Sequence, residues 1–356
     1  MKKHLQNLTR LRSGVYRDTT SGIFLDRNER VIPYDGTTLE KLIYRLSKIH
    51  FNLYPELHPF YKKLSKWLEV DEEQIYVTEG VSGAIKSLIE TLAVTGDNVV
   101  FPTPTFALYP VFAQMYNLEF RMVGYSSNYA LDLETLLQSI DDHTTLVFLP
   151  NPNMPIEGTL DLKSMSLIAR HCLKHNAYLV IDEVYFLYGG PDAIPLIDQF
   201  DNVFIMRSFS KAFGLAGIRV GYLLGTKKNI DYVSKTRTGY ETNSVSMEIA
   251  SFFIDHFTIV EEYIKSVKEG LHYLKTKLIE LEIEFNGGNT GNFIFVNLHD
   301  QKLANAIVTE LRKKEIYIRG EWPAPFSTGF SITGAPQHIM KFFFDEFVTI
   351  HQKLSK

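Results

Sequence analysis

The sequence predicts an α/β fold, in which a large domain holds a mostly parallel seven-stranded sheet flanked by helices and a smaller C-terminal α+β domain follows. The chain has 356 residues, 45% of them hydrophobic, which is enough for a large buried core. Short β-branched and aromatic runs alternate with helix-like stretches over residues 74–225. After residue 245 this alternation gives way to one long helical stretch and a few short strands.

Seven apolar runs have the length and composition of strands. They are residues 74–78, 98–102, 119–125, 144–150, 177–183, 202–208 and 219–225. The stretches between them place apolar residues three and four positions apart, which is typical of amphipathic helices. Because the runs are almost continuously apolar, we expect helices to cover both faces of a parallel sheet.

The C-terminal part has a different pattern. A helical stretch is followed by a Gly/Asn-rich turn at 286–292, and strands and helices then alternate to the end. We therefore expect a large domain at 33–245, with residues 1–32 and 246–356 forming an N-terminal arm and a small domain. No low-complexity linker separates the two, so the sequence predicts a cleft between packed units.

Composition excludes several classes of function. Lysine and arginine number 37 and aspartate and glutamate 41, and a net charge of −4 predicts neither a nucleic-acid partner nor an anionic membrane. With one cysteine, Cys172, and no apolar run near the ~20 residues of a membrane span, we expect a cytoplasmic protein. His171 and His175 share a helical face without a third ligand nearby, so no metal is expected.

Residues 206–225, MRSFSKAFGLAGIRVGYLLG, carry the strongest chemical signal. A strand ends at Ser208, and Ser210, Lys211 and Arg219 follow. Hydroxyl, ammonium and guanidinium groups at one strand end suit a phosphate, and the lysine is placed to act as a nucleophile. For an isolated motif of this kind, an exposed loop lysine would be the simpler interpretation.

This block resembles the lysine segment of fold type I pyridoxal-phosphate enzymes, in particular the histidinol-phosphate aminotransferases, whose pattern is S-K-A-F-x-L-A-G-L-R-x-G-Y. The resemblance implies pyridoxal 5'-phosphate as cofactor. It also implies that Lys211 forms the Schiff base and moves the α-proton, while Ser208, Ser210 and Arg219 hold the cofactor phosphate.

Other segments match the same family. Asp182 and Tyr185 fit its D-E-x-Y pattern, which implies that Asp182 keeps the pyridine nitrogen protonated and that Tyr185 donates to the 3-oxygen. Val81 and Ser82 begin a helix whose amides would bind phosphate. Phe106 matches the ring that stacks on the pyridine.

Two weaker matches concern the partner and the substrate. Tyr54, in Tyr54-Pro55-Glu56, resembles the tyrosine that reaches the cofactor phosphate of a neighbouring subunit, which implies a homodimer with shared active sites. Residues 25–30, LDRNER, resemble the family's L-x-x-N-E-N-P at the substrate entrance and make Asn28 and Arg30 candidate substrate ligands.

The segment 151–158, NPNMPIEG, departs from the family's N-P-N-N-P-T-G. Met154 stands where an asparagine donates to the 3-oxygen, and the spacing from proline to glycine is one residue longer. A thioether cannot donate a hydrogen bond. We expect either that this bond is lost or that Asn153 supplies it.

A second departure concerns the substrate's anionic group. Ser331 replaces the arginine of the family's L-R-I-T-x-G, although Arg319 still matches the other family arginine. Arg27 or Arg30 could supply a replacement. Losing a bidentate guanidinium changes which anion fits, so histidinol phosphate is not assured as the substrate.

Together these observations predict a pyridoxal-phosphate-dependent aminotransferase. It would move an amino group between an amino acid, with glutamate as the expected donor, and a small phosphorylated or otherwise anionic carbonyl compound. The altered anion pocket leaves one alternative open, a phospho-amino-acid decarboxylase resembling the threonine-phosphate or serine-phosphate enzymes. A non-catalytic relic is disfavoured because Lys211 is present.

Overall fold

The computed structural model describes residues 3–6, 8 and 21–355. Part of the predicted N-terminal arm, at 1–32, therefore lies outside the described residues. The strands are β1 Ile23–Leu25, β2 Ile75–Thr78, β3 Asn98–Thr103, β4 Glu119–Gly124, β5 Thr144–Pro150, β6 Tyr178–Asp182, β7 Val203–Ser208, β8 Gly221–Leu224, β9 Glu284–Gly287, β10 Phe293–Asn297, β11 Ile316–Ile318 and β12 Gly329–Thr333.

Helices account for most of the remaining structure. They are α1 Gly36–Leu46, α2 His58–Leu68, α3 Gly80–Leu92, α4 Leu108–Met115, α5 Leu133–Gln138, α6 Leu162–Lys174, α7 Lys227–Val233, α8 Ser244–Asp255, α9 Phe257–Glu280, α10 Gln301–Lys313 and α11 Gln337–Leu354. Across the parts of the chain that are described, none of these helices has the length and apolar character that crossing a membrane requires.

The large sheet confirms the predicted α/β class. Its seven strands lie in the order β2-β8-β7-β6-β5-β3-β4, and each of the seven predicted runs forms one of them. Only β8 runs opposite to its neighbours in this sheet. The connection from β7 to β8, residues 209–220, has no helix longer than one turn, and such a short return allows only antiparallel pairing.

The carboxyl ends of the parallel strands lie at one edge of the sheet. Pro150 at the end of β5 is in register with Asp182 at the end of β6, and Ser208 at the end of β7 is in register with Gly221 at the start of β8. Ligands of open parallel sheets bind at this edge. The loop that carries Lys211 therefore lies at the edge of the sheet where folds of this type bind their ligands.

A smaller antiparallel sheet, in the order β12-β10-β9, forms the C-terminal part, and β1 pairs in parallel with β11. Strand β9 begins before the predicted turn at 286–292, because Phe285 and Gly287 pair with β10. The predicted long helix is interrupted at His256, whose φ and ψ are −118° and 45°. The proposed domain boundaries remain a prediction.

Glu157 connects the two sheets. Its carboxylate accepts hydrogen bonds from three consecutive backbone N–H groups of the β9–β10 turn, at Asn289 (3.0 Å), Thr290 (2.8 Å) and Gly291 (2.6 Å). Its own N–H donates to Asn286 Oδ1 at 2.6 Å. The segment 151–158, which carries the extra residue, is thereby fixed to the small sheet.

We expect Gly270→Ala to destabilise the protein, because an added Cβ would overlap the carbonyl oxygen of Ala335 where α9 packs beside α11. The free energy of unfolding, measured by urea denaturation, should fall by about 1–3 kcal/mol. Gly36→Ala is the control, since no heavy atom lies within 4 Å of its added Cβ. Equal stability of the two variants would contradict this account of the crossing.

Candidate active site

A cavity of about 380 Å³ lies at the carboxyl edge of the large sheet. The predicted site residues that line it are Asn28, Val81, Ser82, Phe106, Asn153, Asp182, Tyr185, Ser208, Ser210, Lys211, Arg219 and Arg319. A neighbouring cavity of about 670 Å³ shares Arg219 and includes Tyr54, but neither Lys211 nor Asp182 lines it. The smaller cavity is therefore the candidate active site.

Lys211 lies in the loop between β7 and β8. Its Nζ donates a hydrogen bond to the backbone carbonyl of Arg27 at 2.7 Å. Burial in the cavity wall lowers the pKa of Lys211 to about 8, although the nearby Glu29 carboxylate acts in the opposite direction. A lysine with this pKa is neutral for part of the time near pH 7, as a nucleophile or a base must be.

Asp182 ends β6 and is 3% exposed. Its carboxylate accepts hydrogen bonds from Tyr109 Oη at 2.7 Å and from the backbone N–H of Val184 at 3.2 Å. Burial raises the pKa of Asp182 to about 6, despite these two donors. The chain thus places a carboxylate that accepts a proton readily against one side of the cavity.

Tyr109 was not predicted as a functional residue. It lies three positions after Phe106, and its ring packs edge-on against the Phe106 ring at 5.8 Å. Its hydroxyl is fully buried and donates to Asp182. The sequence feature that could have indicated Tyr109 is its position: a tyrosine three residues, about one helical turn, after the predicted cofactor contact Phe106.

Asn28 ties the N-terminal segment to the site. Its side-chain amide donates to Tyr185 Oη at 2.7 Å, and its backbone N–H donates to Thr333 Oγ1 at 2.9 Å. Burial raises the pKa of Tyr185, so the phenol keeps its proton. Because Tyr185 Oη accepts from Asn28, its own hydrogen can be donated to another acceptor.

Two serines form one side of an anion cradle. The Ser208 hydroxyl lies 2.9 Å from that of Ser210, and the backbone N–H of Ser210 donates to Ser208 Oγ at 3.1 Å. Both side chains are buried at the end of β7. Their hydroxyls can reorient to donate to a bound anion.

The start of α3 forms the other side of this cradle. Glu79 provides no side-chain hydrogen bond to cap the helix, so the N–H groups of the first turn, which include Val81 and Ser82, lack an intrahelical acceptor. Arg219 Nη2 donates to the Glu79 carbonyl at 3.3 Å, and no carboxylate within residues 21–355 pairs with it. A Cβ on Gly80, whose φ is 65°, would lie 2.8 Å from this Nη2. The cradle fits a phosphate group.

Asn153 is fully buried. Its Nδ2 donates to the carbonyls of Pro104 at 2.9 Å and Ile156 at 3.4 Å, whereas its Oδ1 has no hydrogen-bond partner among the described residues. Both amide hydrogens are therefore used by the backbone, and Met154, which also lines the cavity, has none to offer. The donor role of Asn153 remains a prediction.

A buried ion pair behind the cavity holds the strand ends together, and the sequence analysis missed it. Glu183 follows Asp182 directly, and Arg207 precedes Ser208. Two nitrogens of Arg207 donate to Glu183 Oε2 at 2.9 and 2.7 Å, and the guanidinium also reaches Asp192 at 2.6 Å. Both partners are buried, so removing either one would leave an unpaired buried charge and would destabilise the fold.

Two predicted residues do not reach the cavity. The guanidinium of Arg30 lies between the rings of Tyr34 and Tyr263, 4.0 and 3.8 Å from their centroids, and its Nε donates to the carbonyl of Ile32. This stacking holds Arg30 away from the substrate position predicted for it. Tyr54 is 76% exposed and stacks on Tyr240.

The chain resembles known proteins along most of its length. The family model for aminotransferase class I and II matches residues 10–327. Histidinol-phosphate aminotransferase 1 of Bacillus thuringiensis subsp. konkukian (strain 97-27) is 31% identical over 289 residues, which cover 80% of this chain and 77% of the relative. The histidinol-phosphate aminotransferase of Pyrococcus furiosus is 28% identical over 292 residues, with 80% and 82% covered.

Solved structures share the fold. The crystal structure of histidinol-phosphate aminotransferase from Sinorhizobium meliloti, in complex with pyridoxal-5'-phosphate, superposes with a TM-score of 0.89 over 99% of this chain and 98% of that one, at 21% identity. Aspartate aminotransferase from Thermotoga maritima gives a TM-score of 0.79 over 94% and 92%, at 20% identity. The arrangement of the two sheets is therefore that of these enzymes.

The raised pKa of Asp182 predicts a pH-dependent stability. Because its folded pKa of about 6 exceeds the unfolded value, Asp182 stabilises the fold below the unfolded pKa and loses this contribution as the pH rises through 6. Between about pH 4 and about pH 7, the free energy of unfolding of the ligand-free protein, relative to Asp182→Asn, should fall by on the order of 2–3 kcal/mol. Urea denaturation at both pH values measures it. Asp201→Asn, in an exposed turn, is the control and should show no comparable change with pH. If the difference in free energy of unfolding between wild type and Asp182→Asn is the same at both pH values, the expectation is contradicted.

Proposed function

The chain belongs to the class I and II aminotransferases, and we propose that it transfers an amino group from glutamate to a small phosphorylated or otherwise anionic carbonyl compound. It is a pyridoxal-phosphate-dependent aminotransferase that acts on small molecules. The relatives named above are aminotransferases, which favours transamination over the decarboxylation that the sequence left open.

The observation that carries the proposal is an arginine in the same cavity as the reactive lysine. Arg319 lines the same cavity as Lys211, and no acidic side chain of the described residues forms an ion pair with it. Its guanidinium packs over the Trp322 ring at 4.2 Å, which fixes the plane of the fork. A guanidinium held in this way can bind a carboxylate or phosphate through two parallel hydrogen bonds.

Pyridoxal phosphate, when bound, supplies an aldehyde for the lysine and a ring that draws electrons from the substrate. Ser208, Ser210 and the first-turn N–H groups of α3 would hold its phosphate together with Arg219. Their support is the geometry of the cradle, in which a side chain on Gly80 would collide with Arg219.

The remaining roles follow from the protonation states. Asp182 would hold the proton on the ring nitrogen, because its buried carboxylate accepts protons readily. Tyr185 would donate its hydrogen to the 3-oxygen, since its hydroxyl oxygen already accepts from Asn28. Phe106, in the wall of the cavity, would pack on the ring. Lys211 Nζ would take up the proton from the substrate α-carbon and return it.

Reaction of the holoenzyme with glutamate tests the proposal. The visible absorbance of the bound cofactor should disappear while 2-oxoglutarate forms, and a suitable acceptor should restore the absorbance. Lys211→Ala should slow this change at least about a thousandfold, because nucleophile and base are both lost. Lys163→Ala, an exposed lysine on α6, should react like wild type. Carbon dioxide released without a keto acid would overturn transamination.

We also propose a homodimer with shared active sites. Tyr54 lines the neighbouring cavity and not the Lys211 cavity of its own chain, and exposed apolar side chains surround it in the sequence. These are Ile43 (63% exposed), Tyr44 (66%), Phe51 (77%) and Leu53 (61%). Several large exposed apolar side chains within one short stretch of the chain support an interface there.

A mixing experiment tests the dimer. Wild type should sediment at twice the chain mass, and Lys211→Ala and Tyr54→Ala should each be impaired alone. A hybrid of the two variants contains one site with both defects and one intact site, so coexpression should restore activity above the sum of the parents. No recovery in a hybrid shown to have assembled would contradict shared sites.

A cytoplasmic location is proposed as well. Its support is the cysteine content. The chain has a single cysteine, Cys172, which is buried as a free thiol and has no second cysteine in the chain with which to form a disulfide. Fractionation of cells that produce the protein at native levels would test the location, and recovery outside the cytoplasmic fraction would contradict it.

A further inference from the structure

Asn28 lies in the short segment that follows β1. The parallel pairing of β1 with β11 carries this segment to the Lys211 cavity, which Arg27, Asn28 and Arg319 all line. The side chain of Asn28 does not simply face the cavity, however, because each of its polar groups is engaged by the protein. These contacts determine what its amide can do.

Thr333, at the end of β12, fixes the orientation of this amide. Its hydroxyl oxygen accepts a hydrogen bond from the backbone N–H of Asn28 at 2.9 Å, and its hydrogen is donated to Asn28 Oδ1 at 3.1 Å. Thr333 is 0% exposed and Asn28 is 3% exposed. Because Oδ1 accepts from Thr333, the amide is held in the orientation that turns Nδ2 towards Tyr185.

The backbone of Asn28 is held as well. Its carbonyl accepts a hydrogen bond from Asn292 Nδ2 at 3.2 Å. Its φ is 55°, in the left-handed region that asparagine adopts more readily than most residues. Thr333 ends β12 and Asn292 directly precedes β10, so the small sheet sets the position of Asn28.

The fixed amide determines the direction of the Tyr185 hydroxyl. Asn28 Nδ2 donates to Tyr185 Oη at 2.7 Å, and an amide nitrogen cannot accept a hydrogen bond in return. Within residues 21–355, no other group forms a hydrogen bond with this hydroxyl. Its hydrogen is therefore available to the cavity, and a hydroxyl that already accepts one hydrogen bond is a stronger donor of the next.

The charged groups around Tyr185 come from other segments. Burial has the largest effect on the pKa of Tyr185 and raises it, the hydrogen bond from Asn28 lowers it, the Asp182 carboxylate raises it, and the charge of Arg319 lowers it. Lys211 Nζ lies 5.9 Å from the centre of the Tyr185 ring. Thr333 carries no charge, so a neutral replacement of similar size changes none of these electrostatic effects.

The chain lacks a second donor at this place. Met154 lines the same cavity, and its thioether cannot donate a hydrogen bond. Both amide hydrogens of Asn153 are used by the carbonyls of Pro104 and Ile156. The direction of the Tyr185 hydrogen therefore matters more here than in a site with an asparagine at the position of Met154.

We propose that Thr333 and Asn28 are positioning residues that direct the hydroxyl hydrogen of Tyr185 to the 3-oxygen of the cofactor and so replace the donor lost at Met154. We call this chain of hydrogen bonds the Thr333–Asn28–Tyr185 relay. The inference rests on the proposed role of Tyr185 and adds the two residues that enforce it. It assigns Asn28 to the cofactor and not, as its sequence suggested, to the substrate.

A spectroscopic pH titration of the holoenzyme tests the relay. A donor to the 3-oxygen stabilises the deprotonated form of the lysine-bound cofactor, so it lowers the pH midpoint of the change in visible absorbance. Thr333→Val removes the hydroxyl at nearly constant volume, which frees the amide of Asn28 to rotate and offer Oδ1 to Tyr185. The midpoint should rise by about one pH unit, as expected for loss of a charge-assisted hydrogen bond.

Conservative and matched variants accompany this titration. Thr333→Ser retains the hydroxyl and should keep the midpoint of wild type. Thr328→Val should do the same, because Thr328 donates to Asn297 Oδ1 at 2.7 Å and does not line the Lys211 cavity. If Thr333→Val does not fold, Asn28→Asp replaces it, since an aspartate keeps the acceptor for Thr333, removes the donor to Tyr185 and should also raise the midpoint.

Tyr185→Phe separates the relay from other effects. Alone it should raise the midpoint at least as much as Thr333→Val does. In the Tyr185→Phe background, Thr333→Val should add nothing, and Asn28→Asp should add only the effect of its charge. Equal shifts with and without the Tyr185 hydroxyl, or an unchanged midpoint in folded Thr333→Val, would overturn the proposal.

Met154→Asn tests whether the relay replaces the missing donor. It should lower the midpoint, and Thr333→Val should then raise it by less, because the 3-oxygen keeps one donor. An undiminished shift would contradict the replacement. These titrations contain no amino donor, so glutamate that fails to react would overturn the proposed amino transfer and leave the relay intact, whereas an unshifted Tyr185→Phe would overturn the relay alone.

Discussion

The close approach of β8 to the start of α3 is the contact on which the site depends. A Cβ on Gly221 would lie 2.7 Å from the Cα of Gly80, so these backbones can pack only as glycines. This contact places Arg219, which lies two residues before the start of β8, beside the first-turn N–H groups of α3. Because the loop that carries Lys211 leads into β8, the same strand positions both the anion cradle and the lysine.

Burial outweighs charge pairing in setting the protonation states. Lys211 and Asp182 line one cavity and attract each other, which alone would raise the pKa of the lysine and lower that of the acid. The structure shows the opposite for both groups, since desolvation shifts the lysine to about 8 and the acid to about 6. Both pKa values are thereby moved towards neutrality, which suits groups that must exchange protons near neutral pH. Burial likewise raises the pKa of Glu183, although the charge of Arg207 and its two hydrogen bonds to Glu183 act in the opposite direction.

Local patterns predicted much of this molecule, and long-range pairing determined the rest. All seven strands of the large sheet were predicted, since each is a short apolar run followed by a turn, and twelve of the fourteen predicted site residues line one cavity. The meeting of Arg27 with Arg319 depends on the pairing of β1 with β11, which no local signal contains. Likewise, one of the two tyrosine rings that enclose Arg30, that of Tyr263, comes from a distant segment, and the extended conformation of β9 depends on its pairing with β10.

The hydrogen bonds of Glu157 limit how the small sheet can move relative to the large one. Three backbone N–H groups of the small sheet's turn converge on this one carboxylate, while its own backbone is bonded to Asn286. A hinge rotation of the small sheet must therefore either break all of these bonds together or carry the 151–158 segment with it. Breaking four hydrogen bonds at once is costly, and Asn153 in the same segment is bonded to the carbonyl of Pro104, which follows β3 of the large sheet, so the segment resists rotation of the small sheet against the large one.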